Sequence, residues 1–210
     1  MMSSCLPASA AVGLKVGGNY TRLLTDKGKG AFGITFGLSL EKSVFDRFAF
    51  GAEFNLTSRI SRLENAKILF YPGNVISRYD IKCSFVFFEI PVLLKYYRPI
   101  NQKLNLFLYA GPSISHGLSD NSKAEALPDD SNGDDRKYDY AQFEDASFLW
   151  AETAFVSFLG FNLGAGVKWA EHSIELRYFH SKFQNVDMGG FLLALEEDYD
   201  TFQLLVGIAL

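Results

Sequence analysis

The chain has 210 residues, of which 15% are aromatic, and a formal net charge of −4 at pH 7. This length predicts one domain, since a β-barrel or sandwich of about 200 residues commonly forms a single unit. The negative charge argues against a nucleic-acid partner, because phosphate binding requires an excess of basic residues. Two cysteines, Cys5 and Cys83, make neither a disulfide framework nor a zinc site, and we interpret them as structural or incidental thiols.

The N-terminal segment, residues 1–10, ends in Ala8-Ser9-Ala10, the small-x-small pattern that precedes signal-peptidase cleavage. We expect residues 1–10 to be a leader remnant or a disordered tail, and residues 11–210 to form the domain. The longest stretch without Asp, Glu, Lys or Arg, residues 104–119, contains Asn, Gly, Pro and several Ser, so it does not predict a transmembrane helix. The chain could therefore enter a membrane only as a closed barrel.

Period-2 alternation of apolar and small or polar residues predicts the first four strands. They cover about residues 12–22, 31–41, 48–57 and 80–97; in the second, Phe, Ile and Leu occupy every even position. In the fourth, the apolar residues change parity at Phe87-Phe88, which predicts a β-bulge that would bring both sets to one face. Pro91 lies inside the same run, where it predicts a local break in the hydrogen-bond ladder.

Four more strands follow. The fifth covers residues 104–115 and the sixth about 156–169; the seventh follows a tight turn at 170–172, and the eighth follows a loop at about 183–199. Between the fifth and sixth lies the longest irregular segment, about 118–147. Connections after strands two, four and six are short, whereas those after one, three, five and seven are longer. This alternation is typical of an outer-membrane barrel with its termini in the periplasm.

The polar stripes of these strands carry charges, and the opposite stripes are apolar. A membrane barrel directs its apolar stripes at lipid, whereas a soluble ligand-binding barrel directs them inward and its charges at solvent. The interior of an eight-stranded barrel is only wide enough to be filled by side chains. We therefore expect a paired network that closes the lumen. Its members are Lys15, Glu41, Glu53, Glu89, Lys95, Lys168, Glu175 and Arg177.

Aromatic residues near the predicted strand ends suit the two interfacial girdles of a membrane barrel. Tyr96, Tyr97 and Trp169 lie close to the short turns and are assigned to the periplasmic girdle. Tyr20 and Trp150 are assigned to the outer one.

Four segments also resemble the PorT-like "porin family" outer-membrane β-barrel domain. They are residues 88–96 (Phe-Glu-Ile-Pro-Val-Leu-Leu-Lys-Tyr), 109–113 (Tyr-Ala-Gly-Pro-Ser), 160–167 (Gly-Phe-Asn-Leu-Gly-Ala-Gly-Val) and 176–178 (Leu-Arg-Tyr). The resemblance covers residues 11–210 and implies an all-β, eight-stranded antiparallel up-and-down transmembrane barrel. It implies a place in the outer membrane of a Gram-negative cell, in contact with outer-membrane lipid, but it does not imply a diffusion pore. One namesake of the family serves protein export.

Two features allow other chemistry. The run from Arg177 to Ser181 faintly resembles the His and Ser of outer-membrane lipid A deacylases, but His180 and Ser181 are strand neighbours and should point to opposite faces. The acidic segment 129–135 could bind calcium weakly, although Pro128 occupies the place of the first EF-hand ligand. We predict no catalytic, cofactor or metal site from motifs.

These patterns predict a non-enzymatic outer-membrane barrel with a closed, charge-paired lumen. Its external loops, chiefly 118–147 and 183–199, would contact a protein partner or stiffen the cell surface, because function commonly lies on loops held by a rigid scaffold. A narrow channel or an export-associated component is the alternative. A lipid A-modifying hydrolase and a soluble lipid-carrying barrel are less favoured.

Overall fold

The computed structural model describes residues 10–24, 28–70, 75–121, 123–126, 157–182 and 198–210. None of these residues forms a helix long and apolar enough to cross a membrane. Within these ranges the chain forms nine strands. They are β1 (Ala10–Leu23), β2 (Gly28–Phe45), β3 (Phe48–Phe70), β4 (Val75–Pro99), β5 (Leu104–Asp120), β6 (Lys123–Ala126), β7 (Ser157–Trp169), β8 (His172–Lys182) and β9 (Asp198–Ala209).

Eight of the strands form a closed antiparallel barrel. The hydrogen-bonded order is β3-β2-β1-β9-β8-β7-β5-β4, and the pairing of β4 with β3 closes the wall. The predicted eight-stranded up-and-down barrel is thereby confirmed. The ninth strand, β6, pairs with the end of β4 beyond the last β4–β5 pair. It lies in the segment predicted to be irregular, where β5 also continues to Asp120.

Where burial is described, it alternates along the wall strands, with large apolar residues outside and mostly polar residues inside. On β3, Glu53, Asn55 and Thr57 are at most 1% exposed, whereas Phe54 and Leu56 are 39% and 48% exposed. A soluble protein would reverse this arrangement, because water would surround the apolar stripe. The outer face is thus suited to acyl chains and the interior to polar groups.

The wall strands extend farther from the short turns than the sequence indicated. β3 continues to Phe70 and β4 begins at Val75, so that only residues 71–74 connect them. Residues 24–27 likewise connect β1 and β2. The prediction of longer loops after strands one and three is therefore wrong. The two extensions of β3 and β4 pair with each other, so their backbone N–H and C=O groups are hydrogen-bonded. They lack the apolar outward stripe on which the strand predictions rest.

β4 keeps a single phase throughout. Cys83, Phe85 and Phe87 are buried on the same side as Glu89 and Lys95. The bulge predicted at Phe87-Phe88 is therefore wrong. The apolar residues change parity along β4 because the inward side chains are apolar at this end of the lumen and polar farther along the strand. The irregularity lies instead in the partner strand β5, whose pairing with β4 skips one residue at this level.

The ladder break predicted at Pro91 is confirmed. Pairing between β3 and β4 runs to Ala52↔Val92 and resumes at Asn55↔Glu89, with the register unchanged. The β3–β4 ladder omits Ile90 and Pro91, since proline has no backbone N–H to donate, whereas the β4–β5 ladder keeps the pair Pro91↔Ser113 and the strand continues.

Candidate functional site

The centre of the lumen is occupied by a ring of four charged side chains, which we call the central ring: Lys15, Glu53, Glu175 and Arg177. Lys15 Nζ lies 2.6 Å from Glu53 Oε1 and 2.6 Å from Glu175 Oε1. Arg177 Nη2 lies 2.7 Å from Glu53 Oε2 and 3.1 Å from Glu175 Oε1. Each cation therefore contacts both carboxylates, and the ring joins β1, β3 and β8 across the lumen.

Glycines flank Lys15 on both neighbouring strands. In the sheet register Lys15 lies opposite Gly37 on β2 and Gly207 on β9. A Cβ added at Gly207 would stand 3.5 Å from Lys15 Cγ. At Gly37 the space that a Cβ would fill is occupied instead by Asn55, whose Oδ1 would stand 1.9 Å from it.

A second group lies toward the short turns, at the end that the loop pattern predicts to be periplasmic. We call it the periplasmic tier, and it consists of Glu41, Lys95, Tyr97 and Lys168. Lys95 Nζ lies 2.9 Å from Glu41 Oε2, and the Tyr97 hydroxyl donates to Glu41 at 2.8 Å. Lys168 Nζ lies 5.9 Å from the centre of the Tyr97 ring, in cation–π range. The assignment of Tyr97 to the lipid-facing girdle is wrong, because its inward parity places the hydroxyl on a lumen carboxylate.

Between the periplasmic tier and the central ring lies a small cavity of about 40 Å³. It is lined by Lys15 and Glu175 of the ring and by Glu41, Lys95 and Lys168 of the tier. A volume of this size holds a few water molecules. The central ring forms part of its wall.

A third group lies on the side of the long connections, where Arg59 forms an ion pair with Glu89. The guanidinium lies between two aromatic rings, 4.9 Å from the centre of Phe87 and 4.2 Å from that of Phe179. Thr57 donates a further hydrogen bond to Glu89 at 3.2 Å. Sequence reasoning missed Arg59, although it shares the odd parity of Glu53 on the same strand.

Glycines of β7 accommodate aromatic side chains that fill the rest of the lumen. A Cβ at Gly164 would stand 2.2 Å from the Tyr109 ring, and one at Gly166 would stand 2.4 Å from the Phe107 ring. Tyr109 in turn accepts a hydrogen bond from Arg177 Nε at 3.0 Å. The Gly-x-Gly pattern of this strand therefore leaves space for the aromatic rings that project from β5.

The eight predicted lumen residues are distributed over these three groups. Four of them form the central ring, and three belong to the periplasmic tier, where Glu41 and Lys95 form an ion pair. Glu89 pairs with Arg59 instead of a predicted partner. With Arg59 the set contains five cations and four anions.

His180 and Ser181 lie on opposite faces of β8, as predicted. Ser181 is 2% exposed and faces the lumen, whereas His180 faces outward with its Nδ1 2.9 Å from Asp200 Oδ1. The Tyr178 hydroxyl donates to the same carboxylate oxygen at 2.6 Å. The preceding residue on the outward face of β8 is Tyr178. This serine therefore has no access to the imidazole.

Other predicted features fall outside the described residues. They are the N-terminal segment 1–9, the acidic segment 129–135, Trp150 and most of the two long connections. Within the ranges that are described, no group of three or more His, Cys, Asp or Glu side chains is arranged to hold a metal ion.

Comparison with known proteins identifies the family. Residues 4–181 match the model of the "Outer membrane protein beta-barrel domain" family. The chain belongs to this family. As a member of it, the barrel resides in the outer membrane of the cell, with its apolar face in contact with the bilayer. No curated protein matches the sequence.

Three outer-membrane proteins are among the solved structures that the chain resembles. Neisserial surface protein A is 10% identical, with a TM-score of 0.46 over 95% of this chain and 98% of that one. Ail of Yersinia pestis, solved with the heparin analogue sucrose octasulfate, is 14% identical, with a TM-score of 0.46 over 96% and 99% of the two chains. The outer-membrane enzyme PagL is 11% identical, with a TM-score of 0.38 over 95% and 99%.

Proposed function

We propose that the protein is a non-enzymatic outer-membrane barrel whose lumen is closed and whose external connections contact a protein partner or stiffen the cell surface. The observation that supports a closed lumen is the central ring. Lys15 and Arg177 each contact both Glu53 and Glu175, and all four side chains are at most 8% exposed.

Such a ring opposes ion passage. A permeating ion would have to displace one member from two partners, leaving a buried charge uncompensated, and breaking a buried pair in this way is strongly unfavourable. The Arg59–Glu89 pair between two aromatic rings obstructs the lumen again nearer the external side. The scaffold is therefore better suited to holding loops than to conduction.

The outward face of β8 supports the absence of hydrolase activity. A serine hydrolase requires its nucleophile within hydrogen-bond reach of the base. Here the carboxylate beside His180 is already shared with Tyr178, and Ser181 faces the lumen. The His180–Asp200 pair is thus a structural contact at the rim of the barrel.

The resemblance to PorT-like domains adds an export-associated role as an alternative. A narrow channel is the second alternative, and the cavity beside the periplasmic tier is the feature that favours it. In either case the loops 118–147 and 183–199 would lie on the external side, opposite the termini.

Planar-bilayer recording of the refolded full chain tests the closed lumen. We expect no unitary current steps in molar KCl; steady steps would replace this proposal with the channel.

In the native host, chemical cross-linking should capture a partner with the wild type and lose it when residues 183–197 are replaced by a short Gly-Ser turn. Loss of lipid A deacylation in His180→Ala, measured by mass spectrometry of the acyl chains, would overturn the non-enzymatic assignment.

A further inference from the structure

Four basic residues lie side by side across four strands, and we call them the basic row: Lys29, Arg62, Lys82 and Lys123. The register pairs Lys29 with Arg62, Arg62 with Lys82, and Lys82 with Lys123, on β2, β3, β4 and β6. All four are exposed. Residues directly opposite in antiparallel strands project their side chains from the same face, with Cβ atoms about 4.5–5.5 Å apart.

The row lies beyond the apolar band, on the side of the long connections. On the outer face of β3, Phe54 and Leu56 are exposed, and Ser58 and Ile60 follow before Arg62. Ile60 lies opposite Ser84, and the next outward pair is Arg62 with Lys82. Because the termini and short turns are at the other end of the barrel, the row lies at the headgroup level of the external leaflet.

The opposite side of the rim has a different pattern. There Asp200 on β9 lies between Arg22 on β1 and His180 on β8, and Asp198 lies opposite Lys182. In the sheet register each basic residue at this side therefore lies opposite an acidic one. In the basic row, by contrast, cations face cations, an arrangement that is destabilising unless an anion is supplied.

Among the residues that the structure describes, the acidic ones near the row lie at its edge or farther from the bilayer. Glu64 occupies the next outward position on β3, and its Oε2 lies 2.6 Å from Lys29 Nζ. Asp80 pairs in register with Glu125 one step beyond Lys82. Toward the bilayer, the outward positions next to Arg62 and Lys82 are Ile60 and Ser84, which are uncharged. The bilayer side of the row is therefore the side on which an external anion can approach.

We propose that the basic row binds the phosphate groups of lipid A headgroups in the external leaflet. Arg62 offers a planar fork of N–H donors to phosphate oxygens, and the lysines on either side add point charges. Basic residues at a membrane surface attract anionic headgroups in the same way. The row would thus order lipid on the β2–β3–β4–β6 side of the barrel and leave the β8–β9–β1 side without this preference.

Competition between two lipids tests the proposal. The full chain is placed in nanodiscs containing bisphosphorylated lipid A and its dephosphorylated form, and the lipid retained on the protein is measured by native mass spectrometry. We expect the wild type to prefer the bisphosphorylated form. In Arg62→Gln/Lys82→Gln the ratio of bound bisphosphorylated to bound dephosphorylated lipid A should fall roughly tenfold. Lys123→Gln, which alters only the short strand outside the wall, should give an intermediate loss.

The matched control removes two cations from the opposite rim. Arg22→Gln/Lys182→Gln should keep the wild-type preference, because those positions face carboxylates. Equal preference for both lipids in the wild type, or an equal loss in the control and in Arg62→Gln/Lys82→Gln, would overturn the proposal. Abolition of the preference by millimolar inorganic phosphate would also overturn it, since the row would then be a site for free phosphate.

Discussion

Glu53 and Arg177 form an ion pair of 2.7 Å across the lumen, although their strands β3 and β8 are separated in the wall by β2, β1 and β9. Both side chains are 1% exposed. A contact of this kind joins distant parts of the wall through the interior, so the barrel's cross-section is fixed by side chains as well as by the hydrogen-bonded ladder.

Removing the charge of Glu53 is expected to destabilise the barrel strongly. Glu53→Gln keeps the shape of the side chain but leaves Lys15 and Arg177 with one carboxylate between them. Loss of one partner from a buried pair is expected to lower the free energy of unfolding by about 3–5 kcal/mol. Urea unfolding of the full chain in phospholipid vesicles, followed by tryptophan fluorescence, measures the change.

Glu64→Gln is the matched control for this change. Glu64 also forms an ion pair, with its Oε2 2.6 Å from Lys29 Nζ, but its side chain is 47% exposed. An exposed pair contributes less than about 1 kcal/mol, and this contribution should fall with salt. Equal effects of Glu53→Gln and Glu64→Gln would show that the central ring is not desolvated.

The Arg59–Glu89 pair should behave as a coupled unit. Arg59→Met alone leaves a buried carboxylate, and Glu89→Leu alone leaves a buried guanidinium between Phe87 and Phe179. Each single change should therefore destabilise the barrel more than the double change does, because an apolar pair of similar volume leaves no unpaired charge. A double-mutant cycle of unfolding free energies measures the coupling; strictly additive effects would contradict it.

The space at Gly164 is predicted to be essential for the packing of the lumen. Gly164→Val would collide with the Tyr109 ring and with the Leu176 carbonyl oxygen, which stand 2.2 Å and 2.7 Å from the new Cβ. We expect a loss of at least about 1–3 kcal/mol, the range for overpacked cores.

Gly18→Val is the control, since this glycine is exposed on β1 and its nearest contact would be 3.9 Å away. It should leave the urea midpoint close to that of the wild type. If Gly18→Val destabilised the barrel as much as Gly164→Val, loss of glycine from a strand, and not the collision with Tyr109, would explain both.

The lumen residues could be predicted because the side-chain period of a strand is fixed and the wall separates two media. Parity alone placed Lys15, Glu53 and Glu175 on one face. The same parity would have identified Arg59 and Tyr97, but Arg59 lies beyond the apolar stripe that defined strand three, and Tyr97 lies beside a turn where girdle aromatics are expected. Parity does not identify Phe87 as a lumen residue, because the lumen is apolar at this end and an inward aromatic side chain has the same chemistry as an outward one.

The choice of partners could not be predicted. Which cation meets Glu53 depends on how far the strands are staggered when the sheet closes, and this stagger depends on the whole set of strand pairings. The basic row has the same origin: Lys29, Arg62, Lys82 and Lys123 are far apart in the sequence and become neighbours only through the register of β2, β3, β4 and β6.

The direction of the two stripes of β3 can be measured by a spin-label scan at positions 53–57, in a background with Cys5 and Cys83 replaced by Ser. Labels at 54 and 56 should be accessible to lipid-soluble oxygen, and labels at 53, 55 and 57 should be shielded from it, because the even positions face acyl chains and the odd positions face the closed lumen. Oxygen accessibility highest at the odd positions, or equal at all five, would contradict a barrel with its charges inside.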